Sequence, residues 1–248
     1  MKGQHDRAFT DYDEAIRLNP SYAHAFYSRG EAYLENEDCE VAIADFDKFI
    51  QLDPACSFSF TARARAYEMI GEYERAIADY DEAIRLNPEY PFFFTSRARA
   101  YEAIGQYVRA VADCDEAIRL DRGDAQAFYH RGLAYHATHN YDRAISDFDG
   151  AIRLHRDADF YAARGETYFA KKQYDRAVAE YSEAIRIKSK PDFFVSRGLA
   201  YQEEYQFDRA IEDFGEAIRL DPDGTDARNY REEIVATMVE PLLVTGRS

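Results

Sequence analysis

An arginine recurs along this chain at Arg29, Arg63, Arg97, Arg131, Arg164 and Arg197, in steps of 34 residues that shorten to 33 for the last two. A tyrosine follows each arginine by four residues, from Tyr33 to Tyr201. An alanine keeps the same beat at Ala8, Ala42, Ala76, Ala110, Ala144, Ala177 and Ala210. Self-similarity at one fixed period makes the chain an array of stacked units, each in contact with its neighbours, and leaves little room for a separate catalytic domain.

The unit at 57–90 shows what repeats. Phe60, Ala64 and Tyr67 fall at i, i+4 and i+7, the spacing of a helix with one buried stripe. Gly71 breaks the run. Ala76, Tyr80, Ala83 and Ile84 then mark a second helix, which Asn87-Pro88 ends because proline lacks an N–H and restricts the residue before it. The small residues Ala64, Ala76 and Ala83 let the two backbones approach closely.

The set Phe60, Ala64, Tyr67, Gly71, Tyr73, Ala76, Tyr80, Ala83 and Pro88 resembles the tetratricopeptide repeat, and six such units in register cover about residues 3–224. The resemblance implies an all-α fold, a right-handed α-solenoid of helix-turn-helix repeats. Units are expected at 23–56, 57–90, 91–124, 125–157, 158–190 and 191–224, after a half repeat at 1–22 holding only a second helix. Ala227, Tyr230, Ile234 and Met238 predict a capping helix over 225–240, N-capped by Thr225 or Asp226, and a loose tail over 241–248. Departures from the pattern are local. Phe49 replaces alanine, Cys114 replaces an aromatic, and Arg122, Arg156 and Ser189 stand where proline is expected.

Composition narrows the function. A net charge of −16 opposes binding to nucleic acid and to anionic membranes. No apolar run is long enough to insert into a membrane, and the N-terminus carries no apolar signal core. Cys39, Cys56 and Cys114 are too few and scattered for a disulfide frame, which points to a cytoplasmic setting. There is no phosphate loop, nucleophile elbow, HExxH or dinucleotide fingerprint, so the chain reads as non-enzymatic with no cofactor.

Arginine on a buried beat needs a partner. Acids recur with it at Asp11, Asp45, Asp79, Asp113, Asp147, Glu180 and Asp213, and the columns predict a structural ladder of ion pairs. Each arginine is expected to meet a second-helix carboxylate of its own or the preceding repeat, with Arg63, Arg97 and Arg131 in hydrogen-bond range of second-helix carboxylates such as Asp45, Asp79 and Asp113. The recurring D-x-D triplets sit inside helices, where i and i+2 diverge by about 200° and cannot share a metal. Their second aspartates, Asp13, Asp81, Asp115 and Asp149, are expected to pair with Arg17, Arg85, Arg119 and Arg153 at i+4. His136 and His139 lack further ligands for a metal.

By the same resemblance, first helices line a concave groove that holds an extended or helical protein segment. The candidate binding residues are Phe58, Thr61, Arg65, Met69, Phe92, Thr95, Arg99, Tyr129 and Leu133. Phe58, Phe92, Arg65 and Arg99 are expected to form one central patch, with apolar anchors against Phe58, Phe92 and Met69 and an acidic group on the two arginines. Pairing of those arginines with Glu68 and Glu102 at i+3 is the plainer alternative. The lysine and asparagine clamp that some members use on a C-terminal carboxylate is missing, since Tyr27, Glu31, Ala62, Phe92 and Ser96 stand there. The leading expectation is a protein-interaction scaffold. The alternatives are a self-assembling structural module, with weak self-association through the open half repeat, and the repeat region of a larger enzyme or sensor.

Overall fold

The computed structural model describes residues 2–245, with side chains described over 8–236. Among these residues there are fourteen helices and no strand: α1 (Lys2–Leu18), α2 (Ala23–Glu35), α3 (Cys39–Leu52), α4 (Ser57–Met69), α5 (Tyr73–Leu86), α6 (Pro91–Ala103), α7 (Tyr107–Leu120), α8 (Ala125–Ala137), α9 (Tyr141–Leu154), α10 (Ala158–Ala170), α11 (Tyr174–Ile187), α12 (Pro191–Glu203), α13 (Phe207–Leu220) and α14 (Asp226–Thr245). None is long and apolar enough to cross a membrane. The chain divides into two compact units, Met1–Ala134 and Tyr135–Ser248.

Within each unit, small and aromatic side chains alternate, and an inner second helix such as α5 is buried between the first helices on either side. In unit 1, Ala64 and Tyr67 of α4, Ala76 and Tyr80 of α5 and Ala100 of α6 form one core cluster. In unit 2, Phe194 of α12 packs with Ala210, Phe214 and Ala217 of α13 and with Ala227 and Ile234 of α14. The repeated alanines Ala42, Ala76 and Ala110, like Ala144, Ala177 and Ala210, are fully buried, and so are the rings of Phe46, Tyr80, Phe148 and Phe214.

The turn joining first to second helix is the same in all six repeats. The N–H of Asp38, Glu72, Gln106, Asn140, Gln173 and Gln206 donates to the carbonyl of Tyr33, Tyr67, Tyr101, Tyr135, Tyr168 and Tyr201. This closure requires a left-handed residue just before the donor. Gly71 and Gly105 supply it at φ +78° and +72°, but Glu37, His139, Lys172 and Tyr205 are forced into it at φ 58–64°. Tyr205 is 81% exposed, so its side chain gains little there. Tyr205→Gly is therefore expected to stabilise the protein by about 1 kcal/mol, measured by chemical unfolding; a loss of stability would show that the ring is held by something more than its contact with Phe207.

Both ends depart from the repeat. In α1, Ala8, Tyr12, Ala15 and Ile16 are only half-buried, whereas the matching Ala76, Tyr80 and Ala83 of α5 are fully covered. Phe9 rests on Tyr33 of α2, with ring centroids 4.6 Å apart. At the other end Asp226 is the first residue of α14, and the carbonyl of Thr225 accepts the Asn229 N–H at 3.0 Å, so Thr225 holds the capping position. Ala227, Tyr230 and Ile234 pack as expected, while the Met238 side chain lies outside the described residues. The helix does not stop at 240 but runs through Pro241 to Thr245. Proline there removes one intrahelical bond near the helix end, where few carbonyls remain to be matched. Of the expected tail, residues 246–248 lie outside the described residues.

Candidate functional site

The recurring arginines point into a carboxylate frame. Arg63 Nε and Nη2 donate to both oxygens of Asp79, at 2.8 and 2.6 Å, and its Nη1 donates to Asp47 at 2.5 Å. Arg29 holds Asp45 and Asp13 in the same way, and Arg97 holds Asp113 and Asp81. Arg131 donates to Asp115 at 2.6 Å. In unit 2, Arg197 takes both oxygens of Asp213, while Arg164 reaches Glu180 through Nη2 at 2.6 Å and also bonds Asp149. Glu180, one methylene longer than aspartate, leaves Arg164 Nε buried without a partner.

The contacts resolve which carboxylate each arginine takes: Asp45 meets Arg29 and Asp79 meets Arg63, each of its own repeat. One expectation changes. The second aspartate of each triplet serves the next repeat's arginine. Three of the i+4 arginines turn instead to a glutamate three residues back, Arg17 to Glu14, Arg85 to Glu82 and Arg119 to Glu116. The divergence of i and i+2 is what makes this possible, since one aspartate faces its own first helix and the other faces the next one. Burial pushes the Asp79 and Asp113 carboxyls above the usual carboxylate range, and their arginines offset this only in part. The Asp79 bonds in turn hold Arg63 above its ordinary value. Each rung is a desolvated pair whose attraction largely offsets its burial.

The first helices of unit 1 carry a second set of pairs, each joining one first helix to the next. Arg99 Nη2 donates to Glu68 at 2.6 Å, and Arg65 Nη1 to Glu31 at 3.3 Å. His130 Nδ1 and Glu102 share a hydrogen bond at 3.1 Å. Arg65 and Arg99 thus pair with the preceding helix and not with Glu68 and Glu102 at i+3. Both guanidiniums are committed to carboxylates before any ligand arrives. Burial pushes the Glu102 carboxyl up, against the opposing pull of His130.

The candidate contact residues separate into surface and interior. Phe58, Phe92 and Met69 are 45%, 48% and 51% exposed. Thr61 and Thr95 are buried, and the Thr61 hydroxyl donates to the Ser57 carbonyl of its own helix. Tyr129 and Leu133 are half-buried. Phe58 and Phe92 sit in the first turns of α4 and α6, whereas Met69 ends α4, about 16 Å further along the helix axis. Of the expected apolar anchors, Phe58 and Phe92 therefore lie at one end of the first helices and Met69 at the other.

Aromatic rings gather at the first of these ends. Tyr90 packs against Phe58, Phe92 and Phe93 with centroids 5.2, 6.3 and 4.9 Å apart. Beside them lies a pocket of about 390 Å³ between α6 and α8, lined by Tyr90, Phe92, Thr95 and Arg99 and by Asp121, Asp124, Gln126 and His130. Asp124 caps α8, accepting the Ala127 N–H at 2.9 Å and the Thr95 hydroxyl at 2.8 Å. Of the expected residues, Phe92, Thr95 and Arg99 line this pocket; Phe58, Thr61, Arg65, Met69, Tyr129 and Leu133 do not. Tyr90, Asp121 and Asp124 were not expected because they belong to turns. An Asp directly before Ala125 is a capping signal, and it is the trace of this wall in the sequence. The matching position in unit 2 is a pocket of about 430 Å³ that includes Asp192, Val195 and Asp221, with no ring in its lining.

His136 and His139 of unit 2 turn to separate hydroxyls. Thr167 donates its proton to the Ala163 carbonyl, so His136 Nδ1 must donate to Thr167 Oγ1, at 2.9 Å. His139 Nδ1 lies 2.8 Å from the Tyr141 hydroxyl.

Comparison with known proteins accords with this geometry. Sequence models described as TPR repeat match residues 2–37, 64–105 and 165–204, and models described as tetratricopeptide repeat match 95–157, 23–56 and 191–223. No curated protein matches the chain. Among solved structures, a chain of the APC/C hetero-tetramer Cut9–Hcn1 is 18% identical with a TM-score of 0.78, over 94% of this chain and 46% of that one. The protein thus spans less than half of that relative's length. A tetratricopeptide repeat protein from Parabacteroides merdae is 21% identical with a TM-score of 0.76, over 94% of this chain and 93% of its own. YrrB, described as a TPR protein with an unusual peptide-binding site, is 22% identical with a TM-score of 0.59, over 78% of this chain and 97% of its own. At these identities the likeness is one of fold. Repeat matches along nearly its whole length, on a frame of stacked helix pairs, place the chain in the tetratricopeptide repeat family.

Proposed function

We propose that the protein is a non-catalytic interaction scaffold, and that the inner face of unit 1 holds an extended or helical segment of a partner protein. The observation that carries this reading is the exposed aromatic edge of Phe58, Tyr90 and Phe92 beside a pocket of about 390 Å³. Large rings left in solvent next to a concavity are the usual anchors of a binding site. The titratable groups around it support the non-catalytic reading, because Arg99, Glu68, His130 and Glu102 are already bonded to one another across helices. The peptide-binding site named for YrrB is in keeping with this use of the fold.

Selection of a displayed random-peptide library on the full chain tests the reading. Peptides recovered on the wild type are expected to lose about 30-fold or more in affinity on the Phe58→Ala, Phe92→Ala double variant, while its circular dichroism stays unchanged. Peptides that bind both proteins equally well would move the site elsewhere.

A further inference from the structure

We propose that the pocket between α6 and α8 accepts a cationic side chain, lysine or arginine, lying beside an apolar residue of the bound segment. This rests on the segment-binding reading above and reverses the acidic partner that two groove arginines suggest. The charge count in the pocket decides the sign. Arg99 is its single arginine or lysine, and its charge is matched by Glu68 at 2.6 Å. His130 is bonded to Glu102. Asp121 and Asp124 are left over. Their bonds run to the Gly123 N–H, the Thr95 hydroxyl and the Ala127 N–H, all of them neutral donors. The lining therefore carries two carboxylates with no cation to balance them.

An acidic group entering this space would face both carboxylates and, at Arg99, a guanidinium whose charge Glu68 already meets. A cation meets the opposite situation. It is attracted to Asp121 and Asp124, and its methylene stem can lie along Tyr90 and Phe92, whose ring faces also attract a positive charge. The chain's net charge of −16 raises the local concentration of basic segments without choosing a place for them. The rings do choose a place, because the matching pocket of unit 2 has acids in its lining but no aromatic side chain.

The same selected library provides the test. Lysine or arginine next to an aromatic or aliphatic residue should be enriched among the recovered peptides. Asp121→Asn keeps the acceptor for the Gly123 N–H and removes the charge, and it should weaken these peptides about three- to tenfold, less so at high salt. Gln126→Lys places a cation at the pocket wall and should weaken them tenfold or more, whereas Gln126→Glu should tighten them. Acidic peptides that depend on Phe92 would overturn the cation seat and leave the scaffold reading standing. Basic peptides that bind all three pocket variants alike would reduce the effect to diffuse surface attraction and overturn it as well. Recovery of no peptide that depends on Phe58 and Phe92 would remove both proposals.

Discussion

Replacing Arg97 with alanine is expected to cost about 3–5 kcal/mol of stability, the range for a buried ion pair that loses one partner. Arg97 makes three bonds to Asp113 and Asp81 at 2.5–2.8 Å, and it lies 5.8 Å from the ring centroids of Phe94 and Tyr101. Asp113 is only 6% exposed. Without the guanidinium its carboxylate is stranded in a desolvated place. Arg97→Lys should recover only part of the loss, since an ammonium cannot hold both oxygens of one carboxylate and a second acid in one plane. The pH dependence gives a second check. Burial already pushes the Asp113 carboxyl up, and Arg97 is what opposes it. In the alanine variant the folded state would therefore bind this proton more tightly than the unfolded chain does. Stability then falls as pH rises from the unfolded carboxylate value, near 4, through the raised folded value, and the deficit narrows on acidification. A deficit below about 1 kcal/mol, or one that widens toward low pH, would show that the rung contributes little.

Gly198→Ala is expected to destabilise the protein by about 1–2 kcal/mol, although alanine favours an isolated helix by about 1 kcal/mol. A Cβ at Gly198 would lie 2.6 Å from Cε1 of Phe214, whose ring is fully buried in α13. Gly30 faces Phe46 and Gly165 faces Tyr181 at similarly short range. In α6 the same position is Ala98, and it shares a core cluster with Cys114 in place of a ring. Ala64 and Tyr80 also share a cluster, so helices can be spaced to admit one methyl group, and this keeps the expected cost moderate. The pair should behave as a unit. Gly198→Ala combined with Phe214→Cys should be more stable than the sum of the single changes by about 1 kcal/mol, and Ala98→Gly should likewise relieve Cys114→Phe. Additive effects in thermal unfolding would mean that the small residue and the ring do not set the helix spacing.

The periodic part of this protein is legible in its sequence because its stabilising contacts lie within one repeat or between neighbours. The helix stripes, the Gly71 and Gly105 turns, the alanine column and the arginine–acid beat all follow from spacing, since a residue's place on a helix face is set by its number along the chain. Spacing does not say which neighbouring helix a given face will meet. Asp79 and Asp81 both lie near arginines, and only the stacked helices assign one to Arg63 and the other to Arg97. The same limit hid the pairing of Arg65 with Glu31 and of Arg99 with Glu68, since these contacts cross from one first helix to the next. Tyr90, Asp121 and Asp124 come from turns, which have no period to read, and only packing brings them to the wall of a pocket. The repeat therefore determined the frame from local geometry, while the charge and shape of the candidate site arose where side chains of successive repeats meet.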